Sequence, residues 1–213
     1  MQQMIFGRNG QRKYMTTAER NTFLHAASGF DDVTLTLCWL ISATGCRISE
    51  ALAVSQHNID WETKMVVFES LKKRRAGIYR TVPVPEALLD LLADVHGLTR
   101  QGQSEAEAVR LWPFSRATAY RRIRKVIEAA GLQGQHAMPK GLRHCFGVAA
   151  IQSQVPLDMV QRWLGHADMR TTAVYTSAMG PEERSIAQRM WRITALKVKP
   201  RSPVRTLRRD DIP

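Results

Sequence analysis

Long apolar runs are missing from this 213-residue chain. No stretch approaches the roughly 18 residues needed to span a bilayer, and the opening MQQMIFGRNG has none of the apolar core of a secretion signal. A membrane protein is excluded on that ground. Cysteine is scarce: Cys38, Cys46 and Cys145 make an odd set with no CxxC pair. That excludes a disulfide framework and a cysteine zinc site, and fits a reducing, cytoplasmic compartment in which each thiol is a small buried apolar group. Acids are short too. Asp and Glu number 19 against 31 Lys and Arg, a formal net charge of +12, and residues 1–15 hold no acid. A surplus of that sign points to a polyanionic partner. The carboxylates that remain are not grouped as a catalytic divalent metal requires, so no metal site is expected.

What is present reads as an ordinary folded chain, with 44% apolar and 23% charged residues. Residues 1–15 carry Arg8, Arg12 and Lys13 and suggest a loose basic arm. TTAERNTFLHAAS follows, with Thr16 or Thr17 as N-cap and Glu19 in the first turn. VTLTLCWLISATG is nearly all apolar or small and fits a buried central helix, with ISEALAV a short third one. From Ile59 the period changes. MVVFES and IYRTVPV are the strands of a hairpin whose turn holds Lys72, Lys73, Arg74 and Arg75. PEALLDLLADVHGL returns to helix behind Pro85, and TRQGQSEAEAV is a polar loop. From Ser115 every element has helical period, with ends marked by Gly131, Pro156, Gly165 and Pro181. KVKPRSPVRTLRRDDIP is a basic, proline-interrupted tail. The expected class is mainly α with a small antiparallel β-sheet (α+β). Its divisions are an arm over 1–15, one domain over 16–196 and a tail over 197–213.

Three segments carry chemistry: ATGCRISEAL at 43–52, KGLRHCFGVAA at 140–150 and LGHADMRTTAVYT at 164–176. Together they hold two arginines, a histidine and a phenol, and a lysine-rich hairpin lies between the first and second. Such a set suits a phosphodiester: guanidinium forks stabilise a five-coordinate phosphorus, and tyrosine supplies an oxygen nucleophile. These segments resemble the tyrosine recombinase family, also called phage-type integrases. Thr44, Gly45, Arg47, Ser49 and Glu50 match its T-G-x-R-x-S-E box. Leu142, Arg143 and His144 match its L-R-H box, and Leu164, Gly165, His166, Thr171, Thr172 and Tyr175 match L-G-H followed by T-T-x-x-Y. The resemblance covers about residues 16 to 195 and implies a tyrosine recombinase catalytic-domain fold.

It implies roles as well. Tyr175 would attack the scissile phosphate, leaving a 3′-phosphotyrosyl bond and a free 5′-hydroxyl. Arg47 and Arg143 would clamp the non-bridging oxygens, His166 would donate to the phosphate, and Glu50 would orient Arg47 from behind. His144 would stand behind the site or simply pack. A family lysine in the strand turn, acting as general acid, falls on Lys72, with Lys73 in reserve. Lys140 stands where the family has histidine, so an imidazole base is missing there, while a cationic donor is kept. DNA contacts are expected from Lys73, Arg74 and Arg75, and from Arg116, Arg121, Arg122, Arg124 and Lys125 on one helix. The family usually has a helical DNA-clamping domain ahead of the catalytic one. About 15 residues precede the first helix here, which leaves open a truncated chain or a short member. The resemblance implies a site-specific recombinase or integrase acting on double-stranded DNA in a tetrameric synapse. No metal or nucleotide cofactor is implied, since the phosphotyrosyl link conserves the energy. Two rivals stay open: a catalytically impaired DNA-binding regulator of the same fold, and a topoisomerase-like enzyme that relaxes supercoils.

Overall fold

Thr16 opens the first helix, α1 (Thr17–Ala27), with a reciprocal cap. Its hydroxyl accepts from the Glu19 N–H, and the Glu19 carboxylate accepts from the Thr16 N–H. α2 (Asp32–Thr44) is capped by Asp31, buries most of its residues and ends at Gly45, where φ is +62°. A Cβ at Gly45 would lie 2.7 Å from the Phe146 ring, so the left-handed turn and the close approach both require glycine. α3 (Ile48–Ala51) follows at once. The computed structural model describes residues 5–7, 10–70, 77–99, 109–177 and 187–188.

The hairpin is there, with a further two-residue strand beside it. β1 (Ile59–Asp60), β2 (Met65–Glu69) and β3 (Tyr79–Pro83) form an antiparallel sheet in the order β1-β2-β3. Alternation turns Val66 and Phe68 inward from β2, and Arg80 and Val82 inward from β3. α4 (Glu86–His96), α5 (Arg116–Ala129), α6 (Pro139–Gln152), α7 (Leu157–Leu164) and α8 (Met169–Ala173) complete the helices, and a 3₁₀ turn over Val174–Ser177 follows α8. The fold class is therefore mainly helical with a small three-stranded antiparallel sheet. Among the described residues no helix is long and apolar enough to cross a membrane.

One large core joins α1 to α6 and the sheet, and it includes all three cysteines, each buried and in no disulfide. A second, smaller cluster gathers Ile5, Tyr14, Val148, Ala150, Val160, Leu164 and Tyr175. Ile5 and Tyr14 correct the expectation of a loose arm. The Lys13 N–H donates to the Ile5 carbonyl, Phe6 bridges Arg12, and Arg12 pairs with Glu19. The apolar residues Ile5, Tyr14 and Met15 are buried there. By compactness the chain divides into Met1–Ala178 and Met179–Pro213, and of the second unit only Ala187 and Gln188 are described, both helical. The remaining residues at the end of the expected 16–196 domain, and the tail over 197–213, lie outside the described residues.

Candidate active site

Arg47 lies between the glycine turn that ends α2 and the first residue of α3. A single carboxylate fixes it twice. Glu50 accepts from the Arg47 backbone N–H at 2.8 Å and from its guanidinium at 2.6 Å. Glu50 is itself buried and takes a second guanidinium, that of Arg80, at 2.7 Å. Burial alone would push the Glu50 carboxyl up, yet the paired arginines, Arg80 before Arg47, hold it below its ordinary value. The chain thus keeps a buried anion there that exists to place cations.

Arg143, one turn into α6, is buried and donates to two carbonyls, Gly45 at 2.7 Å and Leu164 at 2.6 Å. Those bonds tie together the turns after α2 and α7. Its guanidinium is pushed down to about 10, by burial first and by the neighbouring Arg47 second. Two crowded, partly desolvated cations are the electrostatic complement of a phosphate. His166 follows the Gly165 cap of α7, with Nδ1 2.9 Å from the Thr172 hydroxyl. Burial, then Arg143 and Arg47, lower it to about 3, so the ring is neutral. When the threonine hydroxyl donates to Nδ1, the ring's proton is on Nε2, free to face the cleft.

Tyr175 is 1% exposed, on the 3₁₀ turn after α8. Its ring stacks beside His166 at 6.2 Å between centroids and lies over Gly147, where any Cβ would come within 2.6 Å of it. Burial raises the Tyr175 phenol above its ordinary value, against the pull of Arg143 and Arg47. Its hydroxyl lies 3.1 Å from His144 Nδ1. His144 was expected behind the site or in the packing; it touches the phenol oxygen directly. Arg47, Arg143, His144, His166 and Tyr175 all line one cleft of about 970 Å³, with Lys140 and Glu50 on its walls.

The basic set expected to contact DNA divides. Arg116 lines the cleft, and Arg121 and Lys125 are exposed on α5. Arg122 pairs with Asp31 at 2.7 Å and lies over the Phe114 ring, while Arg124 donates to the Ala137 carbonyl and pairs with Glu128. These two are half-buried ties to α2 and to the loop before α6, which corrects their place on a free cationic face. Lys72, Lys73, Arg74 and Arg75 lie outside the described residues. Arg80 was missed. Besides Glu50 it donates to the Trp163 carbonyl at 2.8 Å and lies 5.0 Å over the Phe68 ring. A charge at an inward position of an alternating strand was the available signal, because such a residue needs a buried partner.

Residues 13–180 match the model of the phage integrase family. Tyrosine recombinase XerD of Bradyrhizobium diazoefficiens is 27% identical over 161 residues, 70% of this chain and 49% of that protein. The chain thus spans about half the length of the curated relatives it matches. Among solved structures, a XerA recombinase superposes with a TM-score of 0.69 at 23% identity, over 83% of this chain and 62% of the other. The catalytic domain of bacteriophage HP1 integrase gives 0.59 at 20% identity, over 85% of this chain and 96% of that domain.

Proposed function

Because this chain belongs to the phage integrase family, we propose that it is a site-specific DNA recombinase that cuts and rejoins strands through a 3′-phosphotyrosyl intermediate. The observation that carries the reading is the convergence of Tyr175, Arg47, Arg143 and His166, from four separate segments of the chain, on one cleft. A regulator that had lost catalysis would have no use for all four.

The chemistry follows from the groups. A phosphodiester entering the cleft meets Arg47 and Arg143, whose charge and fixed forks hold its non-bridging oxygens. His166, neutral, donates a hydrogen bond to the same oxygens through Nε2. The Tyr175 oxygen attacks phosphorus as the 5′-oxygen leaves, and Lys72, with Lys73 in reserve, protonates that leaving group. Lys140 adds a cationic donor from the first turn of α6. Rejoining runs the same steps backwards, with the 5′-hydroxyl attacking the phosphotyrosyl bond, so the exchange needs neither metal nor nucleotide cofactor.

Residues 16–196 form the catalytic domain in this reading, between an N-terminal segment and a basic tail, and the protein works on double-stranded DNA in the cytoplasm. Partners assemble on DNA as a tetrameric synapse. The test is covalent capture. A library of nicked duplexes with a randomised core is incubated with the protein, and denaturant-stable adducts are recovered and sequenced. A recurrent captured sequence linked to Tyr175 supports the reading. DNA bound without any adduct would favour the regulator, and relaxation of plasmids lacking that sequence would favour the relaxing enzyme.

A further inference from the structure

An attacking phenol must lose its proton, and Lys140 stands where the family's imidazole would be. The geometry points to His144, on the next turn of α6, as the proton acceptor of Tyr175: a catalytic residue for the reaction proposed above, on which this inference rests. The carrying observation is the 3.1 Å approach of His144 Nδ1 to the Tyr175 hydroxyl, with both side chains buried. Among the described residues Tyr175 meets no other hydrogen-bonding side chain, which leaves His144 as the side chain placed to take its proton. The other ring nitrogen, Nε2, is buried and has no partner among the described residues. When Nδ1 offers its lone pair to the phenol, Nε2 carries the ring's resident proton, and among the described residues no hydrogen bond at Nε2 stabilises the imidazolium. A base built that way takes a proton briefly and gives it back.

The charged groups facing the ring set its timing. Lys140 and Arg143 lie on α6 itself, Lys13 on the N-terminal segment, and His166 faces it from the turn after α7. Burial first, then Lys140, Arg143 and Lys13, lower His144 to about 4, so it is neutral and able to accept at ordinary pH. A phosphate held by Arg47 and Arg143 cancels part of that positive field and raises the ring's basicity when the base is needed. In cleavage the Tyr175 O–H bond breaks and its proton moves to Nδ1 as the oxygen–phosphorus bond forms. The phosphorus–O5′ bond breaks with its electron pair on O5′, which Lys72 protonates. In rejoining, Nδ1 returns the proton to the departing phenol.

Two measurements test this. Single-turnover cleavage of a captured nicked duplex is followed across pH for the parent, His144→Asn and His144→Gln. Asparagine keeps a hydrogen-bonding atom near the Nδ1 position but cannot hold the proton. Its rate should fall by about 10²- to 10⁴-fold near pH 7 and climb with pH as hydroxide replaces the base, while DNA binding is kept. A merely structural role would lower the rate equally at every pH, and parental rates in both variants would overturn the assignment. A parent that forms no adduct overturns the function itself. The second measurement needs neither DNA nor a His144 variant. In ¹⁵N-histidine spectra of the free protein, His144 Nδ1 should be unprotonated at pH 7; a protonated Nδ1 would make the ring a donor to the phenol and end the proposal.

Discussion

Tyr175 keeps its proton in the free protein. Its phenol is raised above the ordinary value by burial, and Arg143 and Arg47 only partly oppose that. Ionisation therefore belongs to the encounter with a phosphate, and Tyr175→Phe should abolish the covalent adduct while changing DNA affinity less than two-fold in a filter-binding titration. Lys140, exposed in the otherwise buried first turn of α6, lines the cleft. As a donor to the charged transition state, it should cost about 10²-fold in single-turnover cleavage when replaced by alanine, and less when replaced by arginine. Equal, near-parental rates for both would remove it from the site. At this scale the sequence was most legible. Arg47, Arg143, His166 and Tyr175 sit in short boxes that each hold a glycine, because a buried functional group needs a shaped local backbone. Gly45 and Gly147 give two such shapes, one for the turn ahead of Arg47 and one for the ring of Tyr175. What no box could display is the 3.1 Å contact between His144 and Tyr175. It depends on how α6 packs against the turn that follows α8.

Elements hold those residues in register, and here the sequence said less. Arg80 and Glu50 are 30 positions apart, so their pairing depends on β3 lying inward-face down beside α3 and α7. Arg80→Leu would strand the buried Glu50 with one partner. It should cost about 3–5 kcal/mol in denaturant unfolding, and Arg80→Leu with Glu50→Gln should recover part of that. Local periodicity placed α5, but its arginines recur at helical spacing and meet different surroundings. Arg122→Ala should lower stability and leave the salt dependence of DNA binding unchanged, whereas Lys125→Ala should reduce its log–log slope by about 0.9. Glu19 anchors the N-terminal segment, pairing with Arg12 and His136. The Arg12 guanidinium holds its carboxyl down to about 2 from an ordinary 4.5. The unfolded chain therefore binds the extra proton between those values, and the stability Glu19 contributes is intact above pH 4.5 and lost as pH falls towards 2. Glu19→Gln should flatten that acid limb in a thermal unfolding series, and an unchanged limb would dismiss the anchor.

Across the whole molecule, an excess of 12 positive charges and a cleft rimmed by cations describe a surface built for a polyanion. With six to ten phosphates contacted, affinity should drop by roughly 10³- to 10⁵-fold between 50 and 200 mM salt. A nearly flat response would contradict a backbone-tracking interface. Tyr175 has one further consequence through the company it keeps. It is packed in a cluster with Ile5, Tyr14, Val160 and Leu164, and the cleft it faces is walled by Arg47 and Arg143 of the same unit. On the proposed reading, nucleophile and clamp are furnished by one polypeptide, and each molecule would sever the strand it is itself gripping. Two crippled variants, Tyr175→Phe and Arg143→Gln, should therefore fail to rescue one another when mixed on the same DNA. Shared activity from that mixture would mean that tyrosines are exchanged between neighbours.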